Sequence, residues 1–182
     1  MLKTASLIGL LVAATMGTTA SAQDFKLSST SIAEGAQLGS TFVFKGFGCD
    51  GGNLSPQLSW SGAPEGTKSF AITAYDPDAP TGSGWWHWNA VNIPSSVNSL
   101  ELGASGSGKM PAGTVEITND YGVTGFGGAC PPPGQVHRYV FTVHALATER
   151  LELPKNPSNA LAGFMIGVNT IQSARITAVF NR

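Results

Sequence analysis

The sequence predicts a mainly β protein, of the β-rich α+β kind, built as an antiparallel β-sandwich with a C-terminal helix followed by a final strand. Glycine and proline are frequent, at 23 and 11 of 182 residues, and they cluster between short apolar runs. That pattern is typical of many short strands joined by turns. One late segment has helical spacing instead, which indicates a single helix near the end of the chain.

Six runs are candidate strands because β-branched and aromatic residues recur in them between turn residues. In chain order they are TFVFKG (41–46), SFAITAY (69–75), WHWNAVNI (86–93), VEIT (115–118), HRYVFTVHAL (137–146) and RITAVF (175–180). The segments between them have the composition of loops. No internal repeat and no linker divides the chain.

The helix is predicted within PSNALAGFMIGVNTIQSA, residues 157–174. Ser158 is a suitable N-cap for it. Gly163 and Gly167 each cost about 1 kcal/mol relative to alanine, so packing against a sheet must support the helix. The apolar residues at helical spacing predict its buried face. They are Leu161, Phe164, Met165, Val168 and Ile171.

Residues 1–22 are predicted to be a signal peptide rather than part of the fold. Lys3 gives a positive start, ASLIGLLVAATM is an apolar core of the usual length, and ASA at residues 20–22 is a small-residue cleavage site. Its removal leaves residues 23–182 as a single domain of 160 residues. We therefore expect a periplasmic or secreted protein.

The charge balance disfavours several kinds of partner. Without the signal peptide, 9 basic and 11 acidic residues remain, and the basic residues form no patch for nucleic acid or for a membrane surface. The apolar N-terminal run is too short to span a bilayer comfortably, and no later run is long and apolar enough. We expect no nucleic-acid partner, no stable membrane insertion and no cofactor.

Cys49 and Cys130 are the two cysteines of the chain. They are either two buried thiols or one disulfide, and an oxidising compartment favours the disulfide. Its loop would span 82 residues, which is worth roughly 4–5 kcal/mol in the chain-entropy model. Neither cysteine belongs to a C-x-x-C pair, so we expect no metal site.

Side-chain alternation places polar residues near one end of three candidate strands. The residues that share a face are, strand by strand, Phe70, Ile72, Ala74 and Asp76; Trp85, His87, Asn89 and Val91; and His137, Tyr139, Phe141 and Val143. If the strands are neighbours, four polar residues converge at one rim: Asp76, His87, His137 and Tyr139. That rim would be a mostly apolar pocket with a few polar groups. His144 falls on the face opposite His137, so the two cannot easily share a metal.

Six segments form an ordered set of motifs. They are CDGGNLSPQLSWSGAP (49–64), YDPDAP (75–80), WWHWNAVNIP (85–94), NDYG (119–122), ACPPPGQVHRYVFTVHAL (129–146) and ARITAVFNR (174–182). DPDAP alone is ordinary turn chemistry, and CPPPG alone is a stiff turn. Together the motifs resemble the phosphatidylethanolamine-binding protein family, and more closely the exported form of its bacterial, Raf-kinase-inhibitor-like branch. The resemblance covers nearly all of residues 23–182.

The resemblance implies a β-sandwich with a small anion pocket that accepts phosphate-like headgroups. The residues that match the family's pocket motifs are the expected ligand contacts. They are Asp76, Pro77, Asp78, Pro80, Trp85, His87, Pro131, Pro132, His137 and Tyr139. The chain departs from the pattern after Gly167, where bacterial relatives often carry a histidine and this sequence has Val168. We therefore place no site residue on the terminal helix.

The expected mechanism is binding rather than catalysis. A carboxylate hydrogen-bonded to one imidazole nitrogen would orient the ring and favour its charged form, leaving the other nitrogen to donate to the anion. His87 and His137 would then meet the anion, helped by the Tyr139 hydroxyl. In another version, one of the acids accepts from a cationic headgroup amine.

The signal peptide and a pocket without an activated nucleophile therefore favour an exported, non-enzymatic binding protein. The resemblance implies that its ligand is small and anionic or phosphorylated, such as a phospholipid headgroup. Members of the wider family also inhibit or modulate protein partners, so a protease or a signalling protein is a further expected partner. The alternative function is a hydrolase that uses Asp and His for acid–base work on a phosphoester or an acyl ester. The chain has neither a G-x-S-x-G elbow nor an H-E-x-x-H pair.

Overall fold

Ten strands and one α-helix make up the described fold. The structure, a computed structural model, describes residues 24–182, so the signal peptide predicted for residues 1–22 lies outside the described residues. The strands are β1 (Lys26–Ser28), β2 (Lys45–Gly46), β3 (Cys49–Asp50), β4 (Leu58–Ser61), β5 (Ser69–Asp76), β6 (Trp85–Pro94), β7 (Ser99–Leu100), β8 (Val115–Glu116), β9 (Val136–Leu146) and β10 (Thr170–Asn181). Helix α1 spans Asn159–Asn169.

Antiparallel pairing organises the strands into two main sheets. One has five strands in the order β10-β9-β5-β6-β8, and the other has three in the order β1-β4-β7. Strands β2 and β3 form a separate short ladder. Each ladder between these strands is antiparallel. The predicted antiparallel β-sandwich with a late helix and a final strand is therefore confirmed.

The main core lies between the two sheets. Leu58 and Trp60 of the three-stranded sheet are buried with Phe70, Ile72 and Phe141 of the five-stranded sheet. The rings of Trp60 and Phe70 meet edge to face, with centroids 5.3 Å apart, which is a favourable aromatic geometry. Because burial fixes which face of β5 and β9 points inward, the polar residues at the ends of the same rows are also directed inward.

Helix α1 covers the outer face of the five-stranded sheet. Ala162 and Ile166 are buried there with Val91 of β6. The side chain of Ser158 accepts the N–H of Leu161 at 3.2 Å, so the predicted N-cap is confirmed. Within the described part of the chain, no helix is long and apolar enough to cross a membrane.

The face of α1 that the structure buries is not the predicted one. Leu161, Phe164 and Val168 are 37%, 63% and 62% exposed, so the prediction that they face the sheet is wrong. The face that packs on the sheet carries Ala162 and Ile166 instead, with Gly163 beside them. A Cβ placed on Gly163 would lie 3.2 Å from the ring of Trp86, which shows how close the contact is.

Helix α1 ends at Asn169, earlier than predicted, and β10 follows without a loop. Asn169 Nδ2 donates to the Met165 carbonyl at 2.8 Å, and Thr170 Oγ1 donates to the Ile166 carbonyl at 2.7 Å. These side chains satisfy carbonyls of the last turn, which have no partner within the helix. Ile171, expected on the helix, lies in β10.

The long central strands match their predictions, whereas several short strands do not. TFVFKG was expected to be one strand, but Ser40–Phe42 forms a 3₁₀ turn and only Lys45–Gly46 is a strand. Strands β1, β3, β4 and β7 lie outside the predicted set. Each has two to four residues, which is too short for alternation to be visible in a sequence.

A β-bulge in β6 sits at His87. In the ladder with β5, Ala74 faces Trp88 and Tyr75 faces Trp86, so His87 is an extra residue in its strand. A bulge of this kind locally re-aims side chains and is common beside functional sites.

The bulge changes the alternation beyond it. Asn89 and Val91 were expected to share a face with Trp85 and His87, and this prediction is wrong. Both lie under α1: Asn89 Nδ2 donates to Asn159 Oδ1 at 2.7 Å, and Val91 belongs to the outer apolar cluster.

Candidate functional site

A cavity of about 250 Å³ lies where β5 ends and β6 and β9 begin. Asp76 ends β5, Trp85 begins β6 directly opposite it, and His137 is the second residue of β9. Antiparallel neighbours bring these strand ends to one edge of the sheet. The lining residues are Phe47, Asp76, Ala79, Pro80, Thr81, Trp85, His87, Tyr121, Cys130, Pro131, Pro132, His137 and Tyr139.

Eight of the ten predicted ligand contacts line this cavity: Asp76, Pro80, Trp85, His87, Pro131, Pro132, His137 and Tyr139. A slightly larger cavity, of about 290 Å³, lies beside edge strand β8. Each buried side-chain polar atom among its lining residues has a hydrogen-bond partner. In the cavity at Asp76, by contrast, three residues have a buried polar atom without a partner. The cavity at Asp76 is therefore the candidate site.

Asp76 and His137 form a buried pair in this cavity. Nδ1 of His137 lies 2.7 Å from Oδ2 of Asp76, and the side chains are 3% and 4% exposed. Oδ1 of Asp76 accepts the N–H groups of Asp78 at 2.8 Å and Ala79 at 3.1 Å. The carboxylate thus orients the imidazole as expected. Nε2 of His137 lies 2.9 Å from Oε1 of Gln135, so the nitrogen expected to meet a ligand is engaged by Gln135.

His87 is held by a backbone carbonyl rather than by a carboxylate. It is 2% exposed, and its Nδ1 lies 2.7 Å from the oxygen of Gly127. Burial lowers the pKa of His87, although the hydrogen bond to Gly127 and the charge of Asp76 act in the opposite direction. The expected carboxylate partner is therefore replaced by a carbonyl at His87, and burial outweighs the charge of Asp76, which favours the charged ring.

Three residues of the cavity have a buried polar atom with no hydrogen-bond partner. These atoms are Trp85 Nε1, His87 Nε2 and Tyr139 Oη. The ring centroids of His87 and Tyr139 lie 5.1 Å apart, and the Tyr121 ring lies 5.1 Å from Trp85 and 5.5 Å from His87. Buried polar groups in folded proteins nearly always have a partner. Together these atoms offer hydrogen bonds that a bound group can complete.

The tyrosine hydroxyls of the cavity keep their protons. Burial raises the pKa of Tyr139, and the charge of Asp76 raises it further. The same two causes, in the same order, raise the pKa of Tyr121. Tyr121 donates its hydroxyl proton to the Gly128 carbonyl at 3.1 Å, whereas the Tyr139 hydroxyl has no acceptor. The nearby Cys130 backbone lowers the pKa of Tyr139, but less than burial and Asp76 raise it.

Pro77 and Asp78 do not line the cavity, contrary to the expectation for them. Asp78 faces Arg138, with Oδ1 2.6 Å from Nη2 and Oδ2 2.9 Å from Nε. The hydrogen bond from Arg138 lowers the pKa of Asp78 to about 2. Asp78 therefore ties its loop to β9 instead of facing a ligand, and Pro77 beside it is exposed.

Five residues that line the cavity are not among the predicted ligand contacts: Phe47, Ala79, Thr81, Tyr121 and Cys130. Tyr121 lies within the NDYG motif, so a signal was present. Its ring stacks on Phe44 with centroids 3.8 Å apart. Phe47 is 70% exposed at the rim of the cavity, and no pattern in the sequence marks it.

The predicted disulfide between Cys49 and Cys130 is present. Cys130 lines the cavity and directly precedes Pro131, which is fully buried. Cys49 begins β3, two residues after Phe47. The disulfide therefore joins the two segments that form one side of the cavity rim.

The histidines do not form a metal site. His144 lies on the opposite face of β9 from His137, as predicted, with its Nε2 3.2 Å from Thr73 Oγ1. Burial lowers the pKa of His144 to about 4. Over residues 24–182 there is no group of three or more His, Cys, Asp or Glu side chains placed to hold a metal ion.

Known proteins resemble this chain in sequence, and solved structures share its fold. The UPF0098 protein YbcL of Escherichia coli (strain K12) is 54% identical over 164 residues, which are 88% of this chain and 90% of YbcL. YbhB of the same organism is 49% identical over 157 residues, 86% of this chain and 99% of YbhB. The crystal structure of YbcL matches with a TM-score of 0.84 and 53% identity, over 87% of this chain and 98% of that chain.

A more distant structure shows the same fold. CT736 of Chlamydia trachomatis matches with a TM-score of 0.72 and 24% identity, covering 88% of this chain and 99% of that chain. The sequence profile described as phosphatidylethanolamine-binding protein matches residues 28–181, a range that includes every residue of the cavity. This match and the close relatives show that the chain belongs to the phosphatidylethanolamine-binding protein family.

Proposed function

We propose that this chain is an exported, non-enzymatic binding protein whose cavity holds a small anion, such as phosphate or a phosphorylated headgroup. The observation that carries the proposal is the set of unpartnered buried atoms of Trp85, His87 and Tyr139 in one cavity. Leaving such groups unpaired is costly, and a compact ligand rich in oxygen would satisfy them together. Pro77 and Asp78, which lie outside the cavity, are not part of the proposed contact set.

Both acidic residues of the DPDAP segment are engaged by other side chains of the protein. Asp76 is paired with His137, and Asp78 is paired with Arg138, so each carboxylate has a basic partner within hydrogen-bond distance. The cavity of about 250 Å³ lies below the usual range for drug-sized ligands. It therefore suits a headgroup or a free anion better than a large molecule.

Calorimetric titration with inorganic phosphate and with phosphoethanolamine tests the proposal. We expect Tyr139→Phe, which removes one unpartnered hydroxyl, to weaken binding roughly tenfold. Tyr75→Phe is the matched control, because the Tyr75 hydroxyl donates to the Ser83 carbonyl outside the cavity, and it should bind like wild type. His87→Ala and His137→Ala should both bind more weakly. Equal, negligible heats for wild type and all variants would refute the anion site.

The export part of the proposal rests on the predicted signal peptide and on the disulfide. A disulfide persists in the periplasm or outside the cell and is rare in a reducing cytosol. Fractionation of cells that express the full chain, with mass spectrometry of its N-terminus, tests this part. Recovery of a chain that retains residues 1–22 in the cytosol would contradict it.

One observation favours the hydrolase alternative. The Asp76–His137 pair is the arrangement in which a carboxylate orients a catalytic base. Besides the two tyrosines, Thr81 is the lining residue with a hydroxyl group. That hydroxyl already donates to the Gly84 carbonyl, so it is not poised as a nucleophile. A panel of phosphoesters and acyl esters distinguishes the functions: turnover that is lost in His137→Ala would favour the hydrolase.

A protein partner, such as a protease or a signalling protein, is tested separately. Pull-down from periplasmic or host extracts is repeated with excess phosphate. Partner binding that persists under phosphate would use a surface outside the cavity, and partner binding that phosphate abolishes would use the cavity itself.

A further inference from the structure

The ring of His87 has a fixed tautomer. Its Nδ1 lies 2.7 Å from the carbonyl oxygen of Gly127, and a carbonyl oxygen only accepts hydrogen bonds, so Nδ1 carries the N–H. In the neutral ring, Nε2 then carries a lone pair and no proton. This Nε2 is the buried atom that lacks a partner in the cavity.

The surroundings of His87 favour the neutral ring. Its burial is the largest influence and lowers its pKa. Titratable groups face it from β5, from β9 and from the segment after β8; they are Asp76, Tyr139, Asp120 and Tyr121. Both carboxylates are already engaged: Asp76 accepts from His137 and from its own loop, and Asp120 accepts from the Trp86 N–H and Asn159 Nδ2, each at 2.7 Å.

The cavity therefore presents an uneven set of hydrogen-bonding atoms. The indole N–H of Trp85 can only donate, and the hydroxyl of Tyr139 can donate. His87 Nε2 can only accept while its ring is neutral. A fully ionised oxyanion carries acceptors alone, so its oxygen would meet the His87 lone pair with no proton between them. An oxyanion with one remaining proton satisfies all three atoms.

We propose that the cavity selects an oxyanion that carries a proton, namely the monoanion of phosphate or of a phosphate monoester, over a fully ionised oxyanion such as sulfate or a phosphodiester. The inference rests on the proposed function, that the cavity binds a small anion, and adds to it the chemical class of that anion. The proton lies between a phosphate oxygen and His87 Nε2, while Trp85 and Tyr139 donate to the other oxygens.

Wild-type protein tests this inference without any variant. Phosphate and sulfate have nearly the same size, and methyl phosphate differs from dimethyl phosphate by one methyl group and by the acidic proton. We expect phosphate and methyl phosphate to bind roughly tenfold or more tightly than sulfate and dimethyl phosphate, because the latter leave a buried acceptor unpaired. Affinity for phosphate should fall by roughly tenfold or more from about pH 6 to about pH 8, as the monoanion is lost.

Titrations in buffers of different ionisation enthalpy locate the proton. At about pH 8 phosphate binding should take up close to one proton, because the dianion must regain it. Sulfate that binds as tightly as phosphate, with proton uptake by the protein, would show that His87 becomes charged and would overturn the inference while leaving the anion site intact. Equal affinity for all four probes without proton uptake would do the same. Binding of none of them would overturn the proposed function as well.

His87→Gln provides a second readout. A glutamine amide can turn either its oxygen or its NH₂ group to the ligand, so the preference for phosphate over sulfate should shrink to roughly threefold or less. A variant that folds, by circular dichroism, and keeps the full preference would contradict the role of Nε2.

Two vesicle-binding measurements distinguish a lipid phosphate monoester from a soluble one. Sedimentation with phosphatidylcholine vesicles that contain phosphatidate, which is a phosphate monoester, is compared with vesicles of phosphatidylcholine alone. Binding to the phosphatidate vesicles assigns a lipid source, and binding of free phosphate without vesicle binding assigns a soluble one. Binding to phosphatidylcholine alone, a phosphodiester, would count against the inference.

Discussion

Asp76 contacts His137 through one carboxylate oxygen while the other oxygen holds the loop that follows β5. Oδ2 lies 2.7 Å from Nδ1 of His137, and Oδ1 accepts the N–H groups of Asp78 and Ala79. The same side chain therefore fixes both the imidazole and the loop that carries Pro80 to the cavity. This dual role makes Asp76 a positioning residue for the whole site.

Asp76→Asn should destabilise the protein by roughly 1–3 kcal/mol. An asparagine keeps one oxygen for the loop, but it replaces the charge-assisted hydrogen bond to buried His137 with a weaker neutral one. Urea unfolding near neutral pH measures the loss. Asp78→Asn is the control: its partner Arg138 is 58% exposed, so we expect a loss of at most about 1 kcal/mol. An Asp76 variant no less stable than the Asp78 variant would contradict the dual role.

Much of the site could be predicted from the sequence because β9 is regular on its inner face. His137, Tyr139, Phe141 and Val143 alternate inward as expected, since no bulge interrupts their pairing with β10. The motifs then indicated that β5 and β6 supply the facing residues. Strand neighbours and the regular inner row are the features that sequence spacing specifies well.

The parts of the site and the fold that could not be predicted depend on features that change side-chain direction without changing the amino-acid composition. The extra residue at His87 redirects the later part of β6, and no residue type near it signals a bulge. Helix α1 packs through Ala162, Gly163 and Ile166, so other large apolar residues that predict burial, such as Phe164, stay exposed. The engagement of His137 by Gln135 likewise depends on one side-chain contact, and spacing carries no information about it.

Acid should destabilise the protein through His144. The folded state holds the pKa of this histidine at about 4, against 6.5 for the free side chain, because the half-buried ring is desolvated. The unfolded chain therefore takes up a proton near pH 6.5 that the folded protein takes up only near pH 4. The free energy of unfolding therefore falls as the pH drops from about 6.5 towards about 4. At pH 5 it should be about 2 kcal/mol lower than at neutral pH.

His144→Gln should remove this part of the acid sensitivity. Urea titrations at about pH 7.5 and about pH 5 measure the free energy of unfolding. The decrease between these two pH values should be roughly 2 kcal/mol smaller in the variant than in wild type. His87, whose pKa is also lowered, still contributes in the variant, so some acid sensitivity should remain. Identical pH dependence in both proteins would rule out His144 as a source.

Removal of the disulfide should cost both stability and affinity. In the chain-entropy model, the double variant Cys49→Ser and Cys130→Ser loses roughly 4–5 kcal/mol relative to oxidised wild type, because the loop is long and the sequence separation is 81. Phosphate should also bind more weakly, since the disulfide joins two segments of the rim. Unfolding with and without a thiol reductant measures the first effect. Reduced wild type should resemble the double variant, and an unfolding midpoint that the reductant does not shift would argue against the bond.

Two glycines of α1 should respond oppositely to alanine. A Cβ on Gly167 would have no atom within 4 Å, whereas a Cβ on Gly163 would lie 3.2 Å from the Trp86 ring. Both changes remove a backbone entropy cost of roughly 0.5–1 kcal/mol. The Trp86 ring also packs against Tyr75, with centroids 4.5 Å apart, so it has little room to yield. We expect Gly167→Ala to raise the free energy of unfolding by that amount and Gly163→Ala to leave it unchanged or lower it. Equal stabilisation by the two substitutions, measured by urea unfolding, would mean that the close approach of α1 to Trp86 does not depend on the missing side chain of Gly163.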